Sequence, residues 1–283
     1  MLNKYILLIR PHHWVKNLLI FFPILLSPNE FSIVSSISSA YMFICFCLVA
    51  SGVYIFNDIK DVKKDILNTR TKNRPLAQGT VTKLAGYILS LFLITLSILV
   101  AIIFIPKAVF FLFLYVLINF LYTLYLKYIV ILDIISVASG FLIRIIAGGI
   151  VSEIDQSLWT LLIISFASLG LATGKRLGQY VENPTYLSAN WNIFLLKTVL
   201  IICIVCTIIC YGLFSFNPDV ISRHGSDKIW LSLPIIALIF IRYLYIAWYG
   251  KYLGDPTDAA LKDRYLHILS LVWLIIIFYI FII

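Results

Sequence analysis

Apolar runs approaching the roughly 20 residues that a helix needs to cross a bilayer recur along the whole chain. Inside hydrocarbon every backbone N–H and C=O must be satisfied within the protein, which leaves only helices or a closed barrel. The runs are continuous and do not alternate as barrel strands of about ten residues would, so the fold class is an all-α integral membrane protein. Mean hydropathy of +1.02 over 283 residues agrees. Nine transmembrane helices are expected, at about residues 15–28, 32–56, 84–104, 108–126, 130–150, 157–173, 194–215, 229–249 and 266–283. The first is short and interrupted by Pro23. Residues 1–283 read as one membrane domain. The opening MLNKYILLI has too short an apolar core before Arg10 and Pro11 for a cleavable signal.

Charge orients the spans. With a cytoplasmic N-terminus, the cytoplasmic side collects Lys4, Arg10, Lys16, the basic residues from Lys60 to Lys83, Lys127, Lys175, Arg176, Lys197, Lys251, Lys262 and Arg264. The other side holds Lys107, Arg223 and Lys228. That is the positive-inside pattern. A net charge of +9 is thereby explained by topology and anionic headgroups, without nucleic acid.

The stretch NDIKDVKKDILNTRTKNRP, Asn57 to Pro75, breaks the apolar character most sharply. Asp58, Asp61 and Asp65 stand at i, i+3 and i+7, one face of a helix, where they repel each other unless a cation sits among them. Mg²⁺ takes carboxylates together with phosphate oxygens, so this face followed by Lys63, Lys64, Arg70, Lys72 and Arg74 suits a metal-bound diphosphate. The competing reading is a solvated charged loop.

Three further polar groups fall on the same side. RPHHWVKN places Arg10, His12, His13, Lys16 and Asn17 around Trp14 at interfacial depth, either a membrane anchor or a phosphate-capturing segment. Asp133 and Arg144 lie three helical turns apart in one span, and an arginine so deep needs an interior position and an anionic partner. GKRLGQYVEN offers Lys175 and Arg176 as an anion clamp or as ordinary positive flanking. The loop from Asp255 to Arg264 is a cap or a solvated turn, and Cys45, Cys47, Cys203, Cys206 and Cys210 read as packing residues.

These residues resemble the UbiA superfamily of intramembrane prenyltransferases, whose first aspartate motif NDxxDxxxD is matched by Asn57, Asp58, Asp61 and Asp65, with NRP at Asn73 to Pro75 following. RPHHWVKN, GFLIRIIAGG, GKR and DPTDAALKDR look more narrowly like its decaprenyl-phosphate phosphoribosyltransferase branch. The resemblance implies nine helices around a central cavity. It also implies Mg²⁺-dependent transfer of 5-phosphoribose from phosphoribosyl pyrophosphate to a polyprenyl phosphate, with release of pyrophosphate. Where prenyl-diphosphate enzymes carry a second aspartate motif, Lys175, Arg176 and Glu182 stand here, which points to a different donor.

On this reading Asp58, Asp61 and Asp65 are catalytic and metal-binding. Asn57, Arg74, Lys175 and Arg176 bind the donor, Lys16 and Asn17 orient the acceptor phosphate, and Arg144 reaches the donor phosphate. The implied setting is the cytoplasmic membrane of a bacterium, with the site facing the cytoplasm and homo-oligomerisation left open. The alternatives are a prenyl-diphosphate:aromatic prenyltransferase of the same superfamily and a non-enzymatic lipid or solute transporter. Against the last, the polar residues concentrate at one face and do not line several spans.

Overall fold

The computed structural model describes residues 2–27, 30, 32–68, 71–182, 191–224, 226–251 and 256–282. Short α1 (Leu2–Ile9) leads into a 3-10 helix, Pro11–Phe21, which passes into α2 (Phe22–Leu26). The long helices are α3 (Ile33–Leu67), α4 (Lys83–Phe104), α5 (Val109–Leu124), α6 (Val130–Ser152), α7 (Leu158–Glu182) and α8 (Ile193–Ser215). After α9 (Pro218–His224) come α10 (Leu233–Trp248), α11 (Pro256–Lys262) and α12 (Arg264–Ile282). Among the described residues there is no strand.

Seven of these stretches are long and apolar enough to cross a membrane: α3, α4, Pro106–Leu124, α6, α7, α8 and Ile229–Trp248. The C-terminal helix is a shorter apolar one over Arg264–Ile280. The expected first span differs in kind. Pro23 has no N–H with which to continue an α-helical ladder, the Phe22 N–H bonds Leu19 O three residues back, and the segment winds as 3-10 helix. Two expected helix ends also move outward. α3 runs on through the aspartate motif to Leu67, and α7 runs through GKRLGQYVE to Glu182. Falling hydropathy marks where a helix leaves lipid, and a helix continues beyond that point while its residues still favour it.

The outward faces are apolar and the inward ones partly polar, the arrangement lipid demands. Leu84, Leu91, Ile103, Phe113 and Phe194 are exposed, whereas Ser51, Asp58, Ser97, Asp133 and Thr207 are buried. The chain is a multi-pass membrane protein built as two compact units: Met1–Ile24, Phe31–Lys127 and Ile143–Ile154, and then Leu25–Glu30, Tyr128–Leu142 and Asp155–Ile283.

In the first unit, Ser32 caps α3 by accepting from Ser35 N at 3.0 Å, and Thr82 caps α4 by accepting from Ala85 N at 3.2 Å. α3 and α4 lie close enough for Ser90 Oγ to donate to Gly52 O at 2.7 Å and Ser97 Oγ to Cys45 O at 2.8 Å. Such hydroxyl bonds hold helices together where no hydrophobic force acts between them. Leu8, Ile55, Ile59, Leu76, Val81 and Leu93 close the end nearest the aspartates. The 3-10 segment packs against the second half of α6, where the Ile20 carbonyl faces Gly148 so closely that a Cβ there would lie 2.2 Å away. At the far end Lys107 donates to Glu153 at 2.6 Å and holds that carboxyl below its ordinary range.

The second unit packs α7 against α8 and α10 around Ala172, Leu177, Leu196, Leu200, Tyr243 and Ala247. Gly174 admits the Tyr243 ring, whose hydroxyl donates to Leu171 O at 2.9 Å. Asp263 caps α12 through Leu266 N at 2.9 Å and accepts from Arg242 Nη2 at 2.7 Å. Cys203 and Cys210 are buried and free, as packing residues would be.

Candidate functional site

In the first unit a polar stripe runs down one face of α3: Cys47, Ser51, Tyr54, Asp58, Asp61 and Asp65, alternately four and three residues apart. The N-terminal segment lies along it in the opposite direction. Nη2 of Arg10 donates to both oxygens of Asp58 at 2.6 Å. The His13 ring stands 5.4 Å from that of Tyr54, Trp14 Nε1 donates to Ser51 Oγ at 3.0 Å, and Asn17 Nδ2 reaches Cys47 Sγ at 3.2 Å. The stripe ends on Arg144 of α6, which is 3% exposed. Its Nε donates to Asn17 Oδ1 at 2.7 Å and its Nη2 to the Tyr115 hydroxyl at 3.2 Å, with the guanidinium over the Phe46 and Tyr115 rings. The interior position expected for Arg144 is met, and Asn17 and Tyr115 are neutral partners.

The aspartates sit where α3 turns back towards α4. Thr71 Oγ1 bonds Asp65 O at 3.2 Å and Gln78 N bonds Arg74 O at 2.9 Å, closing a tight loop that aims Arg74 at the helix it has just left. Nη1 of Arg74 then donates to Asp58 Oδ1 at 3.0 Å and to Asp65 Oδ2 at 2.8 Å. Asp58 thus accepts three charge-assisted hydrogen bonds while 1% exposed. Asp61 is tied separately, to Lys127 Nζ at 2.5 Å. Asn57 Oδ1 accepts from Thr123 Oγ1 at 3.2 Å. Lys63, Lys64 and Lys72 are exposed, and Lys16 is half-buried. Arg70 and Asp255 lie outside the described residues.

In the second unit Arg176 grips Asp133 through Nε and Nη2 and donates from Nη1 to Gln179 Oε1 at 2.6 Å. Lys175 is half-buried beside it. Gln179 therefore serves the arginine.

The structure brings together Asp58, Asp65 and Arg74, and joins Asn17 to Arg144. Arg10, Lys127 and Tyr115 enter the site although spacing along the chain gives no reason to select them. Arg10 belongs to a segment that the sequence leaves between membrane anchor and phosphate capture, Lys127 reads as ordinary positive-inside charge, and Tyr115 as one more aromatic in a span.

Among the described residues no three His, Cys, Asp or Glu side chains are gathered to hold a metal ion as they stand. The donor chemistry nevertheless suits a hard divalent cation. Asp58 and Asp65 offer carboxylate oxygens that converge on one cationic nitrogen, Nη1 of Arg74, with Asp61 one turn along the same helix. Arg10, Arg74 and Lys127 pair with these carboxylates.

Comparison with known proteins shows the family. Residues 20–260 match the UbiA prenyltransferase family. The decaprenyl-phosphate phosphoribosyltransferase of Mycolicibacterium smegmatis is 32% identical over 94% of this chain and 88% of its own. That of Mycobacterium tuberculosis is 31% identical over 94% and 90%. A UbiA homolog from Archaeoglobus fulgidus bound to DMAPP and Mg²⁺ has the same fold, with a TM-score of 0.72 at 16% identity over 99% of each chain. The chain belongs to the UbiA prenyltransferase family.

Proposed function

We propose that this protein transfers 5-phosphoribose from phosphoribosyl pyrophosphate to a polyprenyl phosphate and releases pyrophosphate. The observation that carries the reading is the identity, over almost the full length of both chains, with decaprenyl-phosphate phosphoribosyltransferases. The first unit's cluster is chemically suited to it. Asp58 and Asp61, with Asp65 in support, would hold Mg²⁺. When bound there, Mg²⁺ supplies positive charge to the departing pyrophosphate. Arg74 is a guanidinium within reach of the same carboxylates, placed to exchange them for phosphate oxygens.

The bond from the sugar's anomeric carbon to pyrophosphate breaks as a polyprenyl phosphate oxygen bonds to that carbon, and pyrophosphate leaves with the electron pair. The acceptor oxygen is already anionic, so no general base is needed. Arg144, read from the sequence as a contact to the donor phosphate, is bonded to Asn17 and is therefore proposed instead to receive the acceptor phosphate with Asn17 and Lys16. Asn57, read as a donor contact, is bonded to Thr123 and is proposed to hold the aspartate face in register. In the second unit, Lys175 and Arg176 are proposed as phosphate-binding residues, Arg176 exchanging Asp133 for the ligand. The setting proposed is nine transmembrane helices forming one domain in a bacterial inner membrane, with the N-terminus and the site cytoplasmic. Label transfer from phosphoribosyl pyrophosphate into polyprenyl phosphate tests the reading, and its absence under conditions where a prenyl diphosphate is consumed overturns it.

A further inference from the structure

Arg10 has an unusual backbone. Its φ of 56° and ψ of 60° are left-handed, where glycine or asparagine is common and an arginine is strained by about 1–2 kcal/mol. Pro11 follows it, which disfavours the right-handed helical alternative at Arg10. The turn is fixed from both sides, since Arg10 N bonds Ile6 O at 3.2 Å and His13 N bonds Arg10 O at 3.0 Å. Its effect is to swing the guanidinium onto Asp58, where one nitrogen touches both carboxylate oxygens. Tyr54 flanks the group at 5.8 Å. A strained residue whose side chain covers the most buried carboxylate of the aspartate face is placed there for a reason beyond the turn itself.

We propose that Arg10, with Arg74, competes with the divalent cation for Asp58, and that diphosphate relieves the competition by accepting the displaced guanidinium groups. The inference rests on the proposed metal role of the aspartates. A cation arriving alone must strip an arginine from Asp58 and leave it without an anion in a poorly solvated place, which is costly. A cation arriving with diphosphate brings the oxygens that re-pair the arginine. Metal and diphosphate therefore bind as a unit, each strengthening the other by the same factor. Arg10 is a positioning residue in this scheme before diphosphate arrives and a ligand afterwards.

The test is calorimetric and needs no turnover. Full-length protein in detergent is titrated with Mg²⁺ alone and with preformed Mg²⁺–pyrophosphate, as wild type, as Arg10→Gln and as Arg10→Gly. Glycine suits the left-handed backbone, so that variant keeps the turn while losing the guanidinium. Both variants are expected to bind Mg²⁺ alone about tenfold more tightly than wild type and Mg²⁺–pyrophosphate about tenfold more weakly, opposite signs that general damage to the fold does not produce. Affinities that fall together, or an affinity for Mg²⁺ alone that stays unchanged in both variants, overturn the proposal. Because pyrophosphate is the probe, this result and the identity of the sugar donor stand or fall separately.

Discussion

Arg144 Nε donates to Asn17 Oδ1 at 2.7 Å, joining two residues 127 positions apart in the interior of the first unit. With the Tyr115 hydroxyl and the Phe46 and Tyr115 rings, the amide helps make a buried guanidinium tolerable, and it helps fix which way the remaining N–H groups point. Asn17→Ala leaves that charge short of an acceptor, and a hydrogen bond to a charged group contributes about 1.5–3 kcal/mol. Its expected signature is a KM for polyprenyl phosphate raised about tenfold or more, as that energy implies, with a nearly unchanged KM for the sugar donor. Equal changes in both constants would remove Asn17 and Arg144 from the acceptor site.

Gly148 gives a steric prediction with an internal control. A Cβ there meets the Ile20 carbonyl at 2.2 Å, and a backbone atom cannot step aside cheaply. Gly148→Ala should push the 3-10 segment off α6, destabilise the protein by about 1–3 kcal/mol as overpacking does, and lower activity by displacing Asn17. Gly212 of α8 has nothing within 4 Å of an added Cβ, so Gly212→Ala should be neutral or stabilise by up to about 1 kcal/mol through helix propensity. Thermal unfolding of the two variants in the same detergent compares them directly.

Lys127 and Asp61 form the other half of the aspartate face, paired at 2.5 Å with the lysine side chain 13% exposed. Lys127→Met keeps the stem and removes the charge, so Asp61 loses its partner while the packing is retained. Transfer should fall about tenfold or more, whereas Asp61→Asn and Asp58→Asn should each lose about two to three orders of magnitude, the scale of removing a group that stabilises developing charge. Steady-state rates with saturating Mg²⁺ distinguish these. A Lys127→Met enzyme as active as wild type would make that pair purely structural.

What the sequence reveals and what it conceals follow from separation along the chain. Asp58, Asp61 and Asp65 declare a shared face because helical spacing is a local rule, and their position on α3 confirms that they are helical and not in a loop. The pairs Arg10–Asp58 and Lys127–Asp61, 48 and 66 positions apart, obey no local rule and exist only once the elements have packed. Hydropathy located the long apolar helices within a few residues but stopped at about 56 and 173, short of the helix ends at Leu67 and Glu182, because it senses the hydrocarbon layer and not the helix. It also gave no sign that residues 11–21 wind as 3-10 helix, a consequence of the prolines at either side and the left-handed turn at Arg10.

The most direct test of the account is to follow radiolabelled phosphoribose from phosphoribosyl pyrophosphate into the lipid phase. It uses purified protein, a polyprenyl phosphate and Mg²⁺, with Asp58→Asn and a chelator as controls. The account predicts labelled lipid and stoichiometric pyrophosphate, both lost in the variant and without metal. No labelled lipid, together with metal-dependent consumption of a prenyl diphosphate in the presence of an aromatic acceptor, would contradict the phosphoribosyl assignment.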